Sequence, residues 1–219
     1  MDKNNSKEEQ KYVCDWGPND EDVILDGDSE YSKYVPDKKS SGKYIQRFRD
    51  PHKFRYSLKY ELNKSGKKDI AIILMNPSYA DEYHLDYTLN NVINFIKTLD
   101  NMEDFRKLII LNIFPIRTSN RKDLVQRMNK YEQQQKYNDE KIEEILDSVQ
   151  DVIVAWGKDY HYMATQKVWF KKLETINKYA FDLNDYGTPK HFRVYAEDKN
   201  KSKLDDYRVN IGMMPIFVK

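Results

Sequence analysis

The stretch Met75-Asn76-Pro77-Ser78-Tyr79-Ala80-Asp81 ends an aliphatic run with an amide, a proline and a carboxylate, and Asp86-Tyr87-Thr88 soon adds a second carboxylate. An amide donates and accepts hydrogen bonds, and a proline fixes the backbone behind it. With two carboxylates nearby, such a loop can hold and polarise a water beside a substrate. The same residues also make an ordinary turn, with Asp86 or Thr88 capping a helix, and spacing alone leans to the turn.

Three further places could carry chemistry. Asn112 closes the apolar run Leu108–Ile113, where its amide can read a polar ligand edge. Period-two alternation predicts Phe114 on the same face, as a ring against which a flat heterocycle would lie. Asn112 also reads as a plain strand-closing residue. Trp156-Gly157 ends another run and reads first as a core tryptophan and a turn glycine. Gly187-Thr188-Pro189-Lys190-His191-Phe192-Arg193 sets His191 among cations, which favour the neutral imidazole. A neutral histidine can donate to an oxygen that gains charge; the alternative is a surface histidine. Arg117, Arg121, Lys122 and Arg127 give the second loop a basic edge, either a solvated face or a set of phosphate contacts. His84 and His161 lack metal-ligand spacing, and Cys14, Ser78 and Ser119 sit in no nucleophile pattern.

These residues need elements to position them. Residues 55–62 alternate like a strand, and Asn63–Lys68 reads as a hairpin-like turn. Ile70–Met75, Leu108–Phe114 and Val152–Trp156 are continuous apolar runs, the pattern of strands buried on both faces. Thr88 looks like the cap of a helix carrying Leu89, Val92, Ile93, Phe95, Ile96 and Leu99. Residues 121–148 read as one broken helix or two short ones, 160–178 as a helix, and 179–183 as a further strand. This rhythm predicts an α/β domain: an α/β/α sandwich with a mostly parallel sheet and the three runs adjacent in it. In such a sheet the loops at the carboxyl ends of the strands take the ligand.

Composition narrows the function classes. Among 219 residues, 37 basic and 36 acidic groups nearly cancel, against a strongly basic nucleic-acid coat or an acidic tail protein. The charge is uneven. Residues 1–43 carry eleven acidic and seven basic groups, net −4, and read as an irregular acidic arm. Residues 44–219 carry 30 basic and 25 acidic groups, net +5, and read as the single α/β domain. No apolar run nears the roughly 20 residues that span a bilayer, and MDKNNSKEEQ has no apolar core of a signal peptide. One cysteine excludes a disulfide framework, so a cytoplasmic protein is expected. Seven glycines and no GxGxxG or GxxxxGK[ST] argue against a glycine-rich phosphate loop. The 17 tyrosines suit a partly wet core or a surface that stacks on something flat.

Arg55-Tyr56-Ser57-Leu58, Leu74–Asp81, Asp86-Tyr87-Thr88, Leu111-Asn112-Ile113-Phe114-Pro115-Ile116-Arg117-Thr118 and Gly187–His191 resemble, in order, the motifs of the DUF1643 family of bacterial and phage proteins. Tyr87 and Phe192 stand where that family usually has proline. The family's layout is similar to the uracil-DNA glycosylase superfamily. There, a first strand ends in a water-activating G-x-N-P-like loop, a second in an asparagine that reads the base, and a third in Trp-Gly. A late loop carries a histidine.

The resemblance implies a uracil-DNA glycosylase-like fold and a DNA-binding protein that flips a base and either excises or recognises it. Asn76, with Asp81 or Asp86, would position the water, and His191 would stabilise charge on the leaving base. Asn112 would read the base, Tyr79 or Phe114 would stack on it, and Phe192 or Arg193 would wedge into the vacated stack. Arg117, Arg121, Lys190 and Arg193 would touch phosphates. No metal or cofactor is implied, and the expected form is a monomer on single-stranded, damaged or modified DNA, with a protein partner for the arm. The competing readings are a non-catalytic DNA-binding module of a phage or mobile element, and an enzyme that binds or hydrolyses free nucleosides or nucleotides.

Overall fold

The computed structural model describes residues 12–15, 34–36, 44–46, 54–77, 86–118, 124–196, 198 and 200–211. Its strands are β1 (Tyr12–Asp15), β2 (Tyr34–Pro36), β3 (Tyr44–Gln46), β4 (Ser57–Glu61), β5 (Lys68–Leu74), β6 (Phe105–Asn112), β7 (Asp151–Val154) and β8 (Asn177–Tyr179). Its α-helices are α1 (Tyr87–Lys97), α2 (Leu124–Met128), α3 (Glu132–Ser148) and α4 (His161–Thr165). Six strands form one sheet in the order β1-β4-β6-β5-β7-β8, and β2 and β3 pair separately.

The architecture is α/β, and the three apolar runs are neighbours, as their composition predicts. β6, β5, β7 and β8 run parallel, whereas β4 is antiparallel to β6 and β1 to β4. The sheet is therefore mixed, not mostly parallel. Nor is Asn63–Lys68 a hairpin, because β6 lies between β4 and β5. The connection crosses the start of β6: Leu62 N–H donates to Arg106 O and Lys67 N–H to Asp104 O, both at 2.9 Å. At Gly66 a Cβ would lie 2.5 Å from Arg106 N, so only glycine passes this crossing without a shift. Leu108, Ile110 and Leu111 are fully apolar and buried, which makes β6 more stable between two strands than at an edge.

Alternation along β5 divides the core. Ile70, Ile72 and Leu74 pack with Leu89, Val92, Ile93, Phe95 and Ile96 of α1; Ala71 and Ile73 pack with Ile142, Ile145 and Leu146 of α3. Each of these Leu, Ile, Val and Phe side chains contributes about 1.5–3 kcal/mol by leaving water.

Several local expectations need correction. The cap of α1 is Asp86, whose Oδ1 accepts Leu89 N–H at 2.8 Å, and not Thr88, which lies inside the helix. The expected helix at 160–178 breaks after α4: Lys167 is extended (φ −79°, ψ 140°), and Val168–Glu174 continues as a 3-10 helix. The last strand is Asn177–Tyr179 instead of 179–183. Tyr12–Asp15 and Tyr34–Pro36, inside the expected irregular arm, are strands, and Tyr12–Asp15 joins the sheet edge. Among the described residues no helix is long and apolar enough to cross a membrane.

Candidate functional site

Parallel strands deliver their carboxyl ends to one edge of the sheet, and the chemistry-bearing loops gather there. Asn76 follows β5, Asn112 ends β6, and Gly157 follows β7. His191 joins them from the late loop, since a Cβ on Gly157 would lie 3.5 Å from His191 Cβ. Gly157 has φ +87°, a conformation that favours glycine and turns the chain sharply after Trp156. Trp156 itself is core: it is buried and donates Nε1–H to His161 Nδ1 at 3.3 Å.

Asn76 stitches two loops together. Its Nδ2 donates to Pro77 O at 2.9 Å and Thr118 O at 2.7 Å, and lies 3.5 Å from Ile116 O. Three carbonyls around the NH₂ fix the amide's orientation. Its Oδ1 accepts from no described residue, so the acceptor is what this side chain can offer a water.

Asn112 is 1% exposed, and so is Arg55, which donates Nη2–H to Asn112 Oδ1 at 3.3 Å. The Nδ2 of Asn112 is buried without an acceptor among the described residues, an uncommon and costly state. Behind it, Asn138 of α3 donates to Asn112 O at 2.9 Å and Ile113 O at 3.2 Å, satisfying carbonyls where the ladder ends. Gln135 adds a bond to Ile113 O.

Phe114 does not follow Asn112 onto one face. β6 ends at Asn112, residues 113–114 bend, and Phe114 joins Leu111 and Ile113 in the α3-side core. There it meets Tyr160 edge-on at 6.0 Å, with Lys167 Nζ 5.7 Å from its ring centre. It also lines a groove of about 560 Å³ whose rim sets the carboxylates Glu132, Asp139, Glu140 and Glu143 against Lys136 and Lys167. That acidic rim is ill suited to phosphates, and the groove includes none of Asn76, Asn112 or His191.

The late loop is pinned from several sides. Asn184 Nδ2 donates to Thr188 O at 3.0 Å, Lys190 N–H donates to Asp182 O at 3.0 Å, and Gly187 turns with φ +72°. His191 Nδ1 accepts Arg193 N–H at 3.1 Å. In the neutral imidazole this places the ring proton on Nε2, the donor form that the sequence reading requires. Phe192 is fully buried against Phe95, Phe181 and Tyr195, so it is a core residue and not a wedge.

The cations assigned to phosphates diverge. Arg193 is exposed. Lys190 is ion-paired with Asp182. Partial burial works to raise the Asp182 carboxyl, but Lys190, the Leu183 N–H and Lys201 hold it below its ordinary value. Arg117 is only 2% exposed, which does not present it to a solvent-side phosphate. Asp86 spends one oxygen on its helix cap. Tyr79, Asp81 and Arg121 lie outside the described residues. No cluster of three His, Cys, Asp or Glu able to hold a metal ion occurs among the described residues.

Sequence reasoning missed Arg55 and Asn138. The signal for Asn138 was present, since it falls on the helical stripe of Ile142 and Ile145. Arg55 belonged to a quoted motif, but nothing local shows that it reaches Asn112.

No curated protein and no solved structure matches the chain. The family model described as "Protein of unknown function (DUF1643)" matches residues 55–191. The matched segment opens on Arg55 and closes on His191, holding between them every strand end that meets at this edge, and the chain belongs to the DUF1643 family.

Proposed function

We propose that this protein is glycosylase-like: it binds DNA, receives a flipped base at the carboxyl edge of β5, β6 and β7, and hydrolyses the N-glycosidic bond there. The observation that supports the reading is that Asn76, Asn112, Gly157 and His191 belong to one strand edge. Helices packed on both sheet faces support the three-layer layout that goes with it.

In this reading Asn112, 1% exposed without a ligand, is uncovered as the base enters, so that its Nδ2 donates to a base oxygen, and Asn76 Oδ1 accepts from the attacking water. The water oxygen bonds to C1′ of the sugar as the C1′–N bond breaks. The base departs with the bonding pair, and its charged oxygen accepts from His191 Nε2–H. The water's proton ends on the departing base or in solvent. An amide is a weak base, so Asn76 orients the water and most of the rate comes from stabilising the anion.

A second reading has its own support. Arg117 is buried and Lys190 is paired, which subtracts from the phosphate contacts and favours a free nucleoside or nucleotide. Oligonucleotides carrying 2-aminopurine beside each candidate base separate the two. Flipping brightens the probe, with binding in the range of roughly 10⁻⁴–10⁻⁶ M that weakens steeply with salt. No brightening, together with saturable nucleoside binding, would replace the DNA reading with the second.

A further inference from the structure

The opposite edge of the sheet holds a cavity that the candidate site does not use. It has a volume of about 240 Å³ and lies where β5, β6, β7 and β8 begin. Asp151, Tyr179, Phe105 and Leu204 are its buried lining, while exposed Lys68, Asp104, Asp205 and Arg208 stand around its mouth.

Its floor is rich in unanswered acceptors. Asp151 is 94% buried, by its 6% exposure, yet both of its side-chain partners address the same oxygen. Tyr179 Oη–H donates to Oδ1 at 2.9 Å, and Asn177 Nδ2 donates to Oδ1 at 3.0 Å. Asp151 Oδ2 receives no donor among the described residues. Asn101, also in the lining, has a buried Oδ1 with no partner there, and its side chain does not cap the 3-10 turn it precedes. Burial and the Asp151 bond hold the Tyr179 hydroxyl protonated, pushed up to about 12, so it stays a donor to Asp151 and does not compete for a ligand proton. At the mouth Lys68 and Arg208 balance Asp104 and Asp205; Arg208 is paired with Asp205 at 3.3 Å and its guanidinium carbon lies 5.8 Å from the Tyr179 ring centre.

A carboxylate oxygen that no donor in the fold answers, open to a cavity, calls for a ligand that brings donors. A carboxylate in that position favours a charged donor. The volume is below the roughly 300–1,000 Å³ of drug-sized sites, which limits the ligand to a few heavy atoms. We propose that this cavity binds a small organic cation with N–H donors, a primary amine or a guanidinium, through Asp151 Oδ2.

The test titrates the full-length chain with methylguanidine, putrescine and agmatine, followed by amide NMR shifts, with acetate and N-methylacetamide as anionic and neutral controls. At least one cation is expected to saturate with Kd of about 1 mM or tighter, moving the amides of residues 101, 151 and 177–179. Asp151→Asn, which keeps the shape and removes the charge, should weaken that binding at least tenfold. If Asp151→Asn fails to fold, Asn101→Leu, which reshapes the cavity wall and leaves Asp151 in place, should also weaken it. No saturation by any of the three cations, equal binding of N-methylacetamide, or an unchanged Kd in a folded variant would overturn the proposal.

Discussion

Arg55 donates Nη2–H to Asn112 Oδ1 at 3.3 Å, joining two buried side chains 57 positions apart. The bond occupies the acceptor end of the Asn112 amide, while its buried donor end meets no acceptor among the described residues. Asn112→Leu removes the acceptor and should cost about 1–3 kcal/mol in denaturant unfolding, because a guanidinium donor loses its buried partner there. Asn112→Asp keeps the shape and the Arg55 contact, with a charge-assisted bond. It should fold with at least the stability of Asn112→Leu, yet lose discrimination between bases, since no donor remains. Equal stability of wild type and Asn112→Leu would show that the pair does not stabilise the fold.

Asn76 is expected to be intolerant of its nearest isostere. Asn76→Asp would turn an acceptor toward Thr118 O, now 2.7 Å from a donor. Asn76→Ala should cost about 0.5–1.5 kcal/mol for the lost bonds. Asn76→Asp should cost more at neutral pH and recover part of the loss in acid, where the carboxyl regains a proton to donate. Equilibrium unfolding at two pH values reads both. A neutral-pH Asn76→Asp as stable as wild type would contradict the observed amide orientation.

Asp86 separates capping from chemistry. Asp86→Ala should destabilise the protein by about 0.5–2 kcal/mol through loss of the Leu89 bond, whereas Asp86→Asn should stay near wild type. If base release occurs and Asp86→Asn abolishes it at unchanged stability, the second carboxylate oxygen takes part in the chemistry.

Some of this was legible in the sequence, for identifiable reasons. Ile70–Leu74, Leu108–Leu111 and Val152–Val154 are buried on both faces and needed no alternation to announce themselves. The edge that gathers Asn76, Asn112 and Gly157 follows from their parallel direction. Strand order did not follow, because inserting β6 between β4 and β5 depends on the crossing at Gly66, a contact between segments distant in sequence. Asp86 and Thr88 are both good capping residues, and only the helix start decides between them. Phe114 was misplaced because alternation stops where the ladder stops, one bend after Asn112. Burial of Arg117 and Phe192 carries no local signature at all.

Tyr179 sets an alkaline limit. Its hydroxyl is pushed from an ordinary value of 10.0 up to about 12, mainly by burial and then by the bond to Asp151. A raised native value means that the folded state holds the proton longer than the unfolded chain does. The contribution to stability is complete below pH 10 and is lost as pH rises toward 12. Thermal melts of wild type and Tyr179→Phe should therefore differ most at neutral pH and converge across that window. A gap that stays constant with pH would show that Tyr179 ionises alike in both states.

The central claim is that the edge bearing Asn76, Asn112 and His191 breaks an N-glycosidic bond, and single-turnover base release tests it most directly. The full-length chain is incubated with single- and double-stranded DNA carrying one altered base per oligonucleotide, and abasic sites are revealed by alkaline cleavage. Wild type is expected to release at least one base, and His191→Ala to slow that release about 10²–10³-fold, the size of one lost donor to a developing anion, while DNA affinity stays nearly unchanged. Binding without release from any of these DNAs, or release that His191→Ala leaves at the wild-type rate, would contradict it.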